Sequence, residues 1–143
     1  MRLVLYLVPL LLLLWVFVRR WQRRAKISRI GARTPVPVQA LAAQFTGQGL
    51  ESAVVEDLLR EVAIAVEFPA ELLRPSDRFD RELRPRWWEF GDRATELAWS
   101  AEHRQSQSGI AVDTGAVQTV ADYVLTFAPL EQVIRSRKRL PGS

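Results

Sequence analysis

Residues 3–18, LVLYLVPLLLLLWVFV, are sixteen consecutive apolar residues, and this run constrains the chain more than any other feature. Away from water its backbone must satisfy its own hydrogen bonds, which a helix does internally. At a rise of ~1.5 Å per residue the run is roughly 24 Å long, slightly short of a ~30 Å hydrocarbon layer. Tyr6, Trp15 and Trp21 suit the interfaces, flanking arginines can snorkel, and Pro9 is tolerated within a spanning helix. The expectation is a single transmembrane anchor over residues 1–18. A cleaved signal peptide is the rival reading, but its basic n-region would be only Arg2. No small-x-small cleavage site follows, only the basic stretch RRWQRR. A buried core helix is the third, and the all-apolar surface of residues 10–14 argues against it.

Arg19, Arg20, Arg23, Arg24, Lys26, Arg29 and Arg33 place seven positive charges directly after the run. By the positive-inside bias this predicts the N-terminus out and the following domain in the cytoplasm, at a bacterial inner membrane. Arg19, Arg20, Trp21, Arg23, Arg24 and Lys26 are the expected interface residues, facing the lipid bilayer and its anionic headgroups. Residues 34–134 hold 16 acidic and 8 basic side chains, a net charge of −8, while Arg135, Arg137, Lys138 and Arg139 make a basic tail. The globular part is therefore acidic, which argues against a nucleic-acid partner. The absence of cysteine excludes disulfides and thiolate sites, and a lone histidine, His103, argues against a His-based metal site or a triad. No phosphate loop, nucleophile elbow or metal-ligand spacing is present. No enzyme activity and no cofactor are expected.

Residues 19–48 read as a basic arm and a linker stiffened by Pro35 and Pro37, with a helical turn or two over residues 39–45. The domain is expected over residues 49–128, with residues 129–143 as the tail. Its first helix is marked by Leu50, Val54, Val55, Leu58, Leu59, Val62 and Val66 at three- and four-residue steps, with Glu51, Glu56, Asp57, Arg60 and Glu61 opposite. A loop follows, pinned by Leu72, Phe79 and Leu83 and leading to the aromatic knot Trp87, Trp88 and Phe90. A second helix fits residues 92–103, with Ala94, Leu97, Ala98 and Ala101 on one face, before a polar turn over residues 105–109. Ile110 and Val112 form a short extended or single-turn piece. Thr119 caps a last helix of Val120, Tyr123, Val124 and Phe127, and Pro129 marks its end, although residues 130–134 can add a turn. No run alternates with period two, so the fold class is all-α.

This order of pieces resembles that of acyl carrier proteins. The residues that carry the resemblance are Leu72, Pro75, Asp77, Phe79, Glu82 and Leu83 in the loop, then Thr95 to Ala98, Ile110 and Val112, and Gln118 to Val124. It covers residues 50–127. The resemblance implies a small helical bundle with a serine at the start of its second helix, modified by a 4′-phosphopantetheine arm. Here that stretch reads PRWWEFGD and has no serine; in register with Thr95-Glu96-Leu97, Gly91 stands at the attachment position. The expectation is a degenerate, non-catalytic carrier-like domain that binds a cytoplasmic protein through Trp87, Trp88, Phe90, Asp92 and Glu96. A genuine carrier using Ser76 or Ser100, and a membrane-surface element acting through its basic arms, are the alternatives. The carboxylates Asp77, Asp80, Glu82, Glu89, Asp92 and Glu96 alternate with arginines and read as solvated ion pairs and not as an acid–base pair.

Overall fold

A computed structural model describes residues 13–17, 27–28, 31–84 and 93–139. The chain divides into two units, Met1–Arg33 and Thr34–Ser143. In the first, residues 13–17 are helical with exposed side chains; the rest of the expected anchor, and all six expected interface residues, lie outside the described residues. Among the described residues no helix is long and apolar enough to cross a membrane.

The second unit contains α1 (Val38–Ala43), α2 (Ser52–Ala65), α3 (Arg93–Ser108) and α4 (Val120–Arg139), with short 3-10 turns at Thr46–Gln48, Ala70–Leu72 and Thr114–Ala116. There is no strand among the described residues, only an isolated antiparallel bridge between Arg78 and Thr119. The all-α expectation holds at that level. α2 is the central element, packed against α1, α3 and α4. Its stripe of Val54, Val55, Leu58, Leu59 and Val62 is buried, because residues three and four apart share one side of a helix. Val38, Leu41 and Ala42 of α1 and Val120, Val124, Phe127 and Leu130 of α4 complete the core.

α2 ends in a Schellman turn: Phe68 N–H donates to Ala63 O (2.9 Å) and Glu67 N–H to Ile64 O (3.2 Å). The turn needs a left-handed residue, and Glu67 supplies it at φ 51° where glycine is usual. Burial of Phe68 holds it there. The loop beyond is pinned by Leu73 and Leu83, both fully buried, while Leu72 and Phe79 are half-buried. Leu73 was not among the expected pins; the 3-10 turn before it shifts the inward position by one residue.

The same loop closes the N-terminus of α4. A helix leaves its first N–H groups without internal partners. Here Asp77 O accepts from Val120 N–H (3.0 Å) and Pro75 O from Ala121 N–H (2.9 Å), while Phe79 N–H donates to Gln118 O (3.0 Å). Thr119 and Asp122 complete a capping box: Thr119 Oγ1 accepts from Asp122 N–H (3.1 Å) and Asp122 Oδ2 from Thr119 N–H (2.8 Å). The cap expected at Thr119 is present.

Two helices run further than the sequence suggested. α3 continues past His103 to Ser108, so most of the expected polar turn is helix; Gly109, at φ 74°, ends it. α4 passes through Pro129 to Arg139. The proline removes the donor for the carbonyl of Leu125, but Leu125 and Pro129 are both exposed, so water can replace it. Leu130 and Ile134, buried beyond the proline, hold the continuation in place.

Removing either half of the capping box, Thr119→Ala or Asp122→Ala, should cost about 1 kcal/mol, and the double change less than the sum. The hydrogen bonds from Thr119 hold the Asp122 carboxyl below the usual carboxylate range. A carboxyl depressed in the fold stabilises above its unfolded pKa of about 3.9 and loses that contribution as pH falls through the folded value. Urea unfolding between pH 7 and pH 2 should show that loss, and Asp122→Asn should remove this part of it.

Candidate functional site

Of the residues expected to touch a partner, Trp87, Trp88, Phe90 and Asp92 lie outside the described residues. Glu96 is exposed in the first turn of α3, where a carboxylate complements the helix dipole. The loop carboxylates divide by role. Asp80 forms an exposed pair with Arg78 (Nε to Oδ1 2.8 Å). Asp77, only 2% exposed, accepts from Arg74 N–H (2.8 Å), and Glu82 accepts from Arg78 N–H (3.0 Å). Both carboxylates thus also close turns of the loop. Ser76 is exposed in the loop and Ser100 is half-buried on α3. Among the described residues no group of histidine, aspartate or glutamate side chains is arranged to hold a metal.

α3 has two faces of opposite character. Leu97, Ala101, Arg104 and Ser108, at steps of four, three and four, form its inner side. Ala98, expected on that side, is exposed. The inner stripe is thin, and its longest member is an arginine. Arg104 donates from Nη1 to Glu61 Oε1 (3.1 Å), from Nη2 to Glu61 Oε2, and from Nε to Glu131 Oε2 (3.2 Å). Tyr123 OH accepts from Arg104 Nη1 (3.2 Å) and donates to Glu61 Oε1 (3.2 Å). Arg135 extends the chain, with Nε on Glu131 Oε1 (3.1 Å) and Nη2 on Asp57 Oδ2 (2.7 Å). One guanidinium therefore joins α2, α3 and α4. Glu61, placed by its sequence pattern on the solvent side of α2, belongs to this junction.

Charge balance sets the protonation of the junction. Burial alone would lower the pKa of Arg104, but its bonds to Glu61 and Glu131 outweigh this and raise it. Burial alone would raise Glu131; the hydrogen bonds from Arg135 and Arg104 instead hold it below the usual carboxylate range. Tyr123 is pushed up, first by burial and then by the Glu61 carboxylate. Each of these three shifts favours the charge state that Arg104, Glu131 and Tyr123 ordinarily hold near neutrality, so the junction ties the helices together.

The outer side of α3 carries Glu96, Trp99, His103 and Gln107, about half a turn round the helix from Ala101. Trp99 is 65% exposed. Its ring lies flat on the His103 imidazole, with centroids 5.4 Å apart and planes 9° apart. Gln107 Nε2 sits 2.7 Å from His103 Nε2 and fixes the imidazole from the other end. His103 is a surface residue within the helix. Sequence reasoning missed Trp99, although its position opposite Leu97 and Ala101 on a helical projection marks it as outward-facing.

Comparison with protein families, with characterised proteins and with solved structures finds no match to this chain.

Arg104→Met leaves Glu61 without a cation, holding only the Tyr123 hydroxyl, and leaves Glu131 with Arg135 alone. Breaking a buried ion pair costs about 3–5 kcal/mol, but Glu61 and Glu131 keep 25% and 21% side-chain exposure, so about 2–3 kcal/mol is expected. Adding Glu61→Leu to that variant should recover at least ~1 kcal/mol relative to additivity. Strict additivity in denaturant unfolding would show that the pair is not coupled.

Proposed function

We propose that this chain is a non-catalytic protein-interaction module, tethered to a bacterial inner membrane by residues 1–18 and presenting a degenerate acyl-carrier-like domain to the cytoplasm. Its contact surface is the outer face of α3 together with the preceding Trp87–Asp92 segment. The observation that carries the reading is the exposed Trp99, held flat against His103. Tryptophan is among the commonest interface anchors, and a ring already held in one orientation loses little freedom on binding. The carrier-like part rests on the order of elements and on the missing serine in PRWWEFGD. The tether rests on the apolar run and the arginines after it.

Three measurements test this. Co-expression with a phosphopantetheinyl transferase should leave the intact mass unchanged; a gain of one arm would make the protein a working carrier. A photo-reactive benzoylphenylalanine at position 99 of the full chain should crosslink a discrete protein in cells, and the same group at Leu125 should not. Equal crosslinking at both positions, or none at 99, contradicts the contact surface. Trp99→Ala should leave unfolding within about 0.5 kcal/mol of the parent, as for surface positions that support no packing.

A further inference from the structure

We propose that Trp99, with Glu96 and Glu102 beside it, is a seat for arginine or lysine side chains on a helix of a partner protein. The inference rests on the reading of α3 as a contact face and adds the chemistry of what binds there. The His103 ring lies parallel to the indole and offset from it, with centroids 5.4 Å apart, and Trp99 stays 65% exposed. Glu96 lies three residues before Trp99 and Glu102 three after, so each is a surface neighbour of the ring.

Both carboxylates are exposed, and among the described residues neither has a cationic partner. Glu56, Asp57, Glu61, Asp80 and Glu131, by contrast, each pair with an arginine. An indole face is electron-rich and attracts cations, most of all guanidinium. Two carboxylates at its edges deepen that potential. A purely apolar partner would bury both charges unpaired, which is costly, and an acidic or phosphate-bearing partner would be repelled. A cationic segment satisfies the ring and both carboxylates together.

The spacing narrows the occupant further. Glu96 and Glu102 are separated by roughly 9 Å along the axis, at ~1.5 Å per residue. Cations at i and i+7 of a facing helix are about 10.5 Å apart and cover that axial distance, while long arginine side chains reach the two carboxylates, which diverge by about 120° around α3 on either side of Trp99. A third at i+4 meets the indole.

The test is fluorescence anisotropy of the 143-residue chain with a dye-labelled, alanine-based helical peptide carrying arginine at i, i+4 and i+7. Saturable binding is expected. It should weaken at least ten-fold for Trp99→Ala, for Trp99→Leu and for Glu96→Gln with Glu102→Gln, and should vanish when citrulline replaces arginine. Glu51→Gln with Glu71→Gln, two exposed carboxylates elsewhere, should leave it unchanged. The proposal is overturned by absence of binding, by equal loss in that control, by full binding of Trp99→Leu, or by retention with citrulline. If crosslinking at position 99 succeeds and the glutamine pair leaves the crosslink intact, the contact face stands and the cation seat falls. If crosslinking at position 99 also fails, both fall.

Discussion

The guanidinium of Arg104 ties the third helix to the other two at its middle. Arg104 reaches Glu61 on α2 and Glu131 and Tyr123 on α4, and every one of its partners is itself engaged by another group. The apolar side of α3 is narrow, with Leu97 half-buried and Ala101 and Ser108 small. Hydrophobic burial is not directional, and a stripe this thin defines the rotation of a helix poorly. A forked, bidentate hydrogen-bond donor defines it well. The junction thus supplies orientation more than net stability, since desolvation offsets much of the Coulombic gain in a buried pair.

Orientation is what the outer face requires. With Arg104 fixed inward, Trp99 lies about 140° away round the helix and faces solvent, and His103 is exposed one turn further on. The end of α3 is secured as well: Arg137 Nη1 donates to Gln107 O (3.1 Å) and Val112 N–H to Gln105 Oε1 (3.1 Å). The loop that caps α4 has a parallel role. By giving its carbonyls to Val120 and Ala121 it fixes the start of the helix that carries Tyr123 and Glu131. The exposed aromatic pair therefore stands on a helix fixed in rotation at its middle and capped at its end.

Much of this was legible in the residues. The three- and four-residue recurrence of Val54, Val55, Leu58, Leu59 and Val62 marks α2, and Thr119 as a cap before Val120, Tyr123, Val124 and Phe127 marks the start of α4; the reciprocal bond to the Asp122 carboxylate was not foreseen. The carrier-like order of elements is a resemblance carried by residues such as Leu72, Pro75, Asp77 and Phe79, and no relative supports or opposes it. What stayed hidden depends on contacts distant in sequence. The stretch QSQS at the end of α3 has no apolar rhythm, so its helicity reflects the Gly109 turn and the Arg137 contact. The continuation through Pro129 depends on Leu130 and Ile134 finding the core, which a local rule about proline does not see. Nothing in its local sequence marks Arg104, because its partners lie 43 and 27 residues away. Trp99 was overshadowed by the adjacent tryptophans at 87 and 88, yet the projection that places Ala101 inside already places Trp99 outside.

The claim that most of this account depends on is that Arg104 fixes α3 upon the α2–α4 pair. Amide hydrogen exchange compared between the parent chain and Arg104→Met tests it directly. The account predicts that α3 amides lose protection at least ten-fold more than those of α2 and α4, because only α3 is released. A uniform loss across the three helices, or unchanged protection in α3, would contradict it.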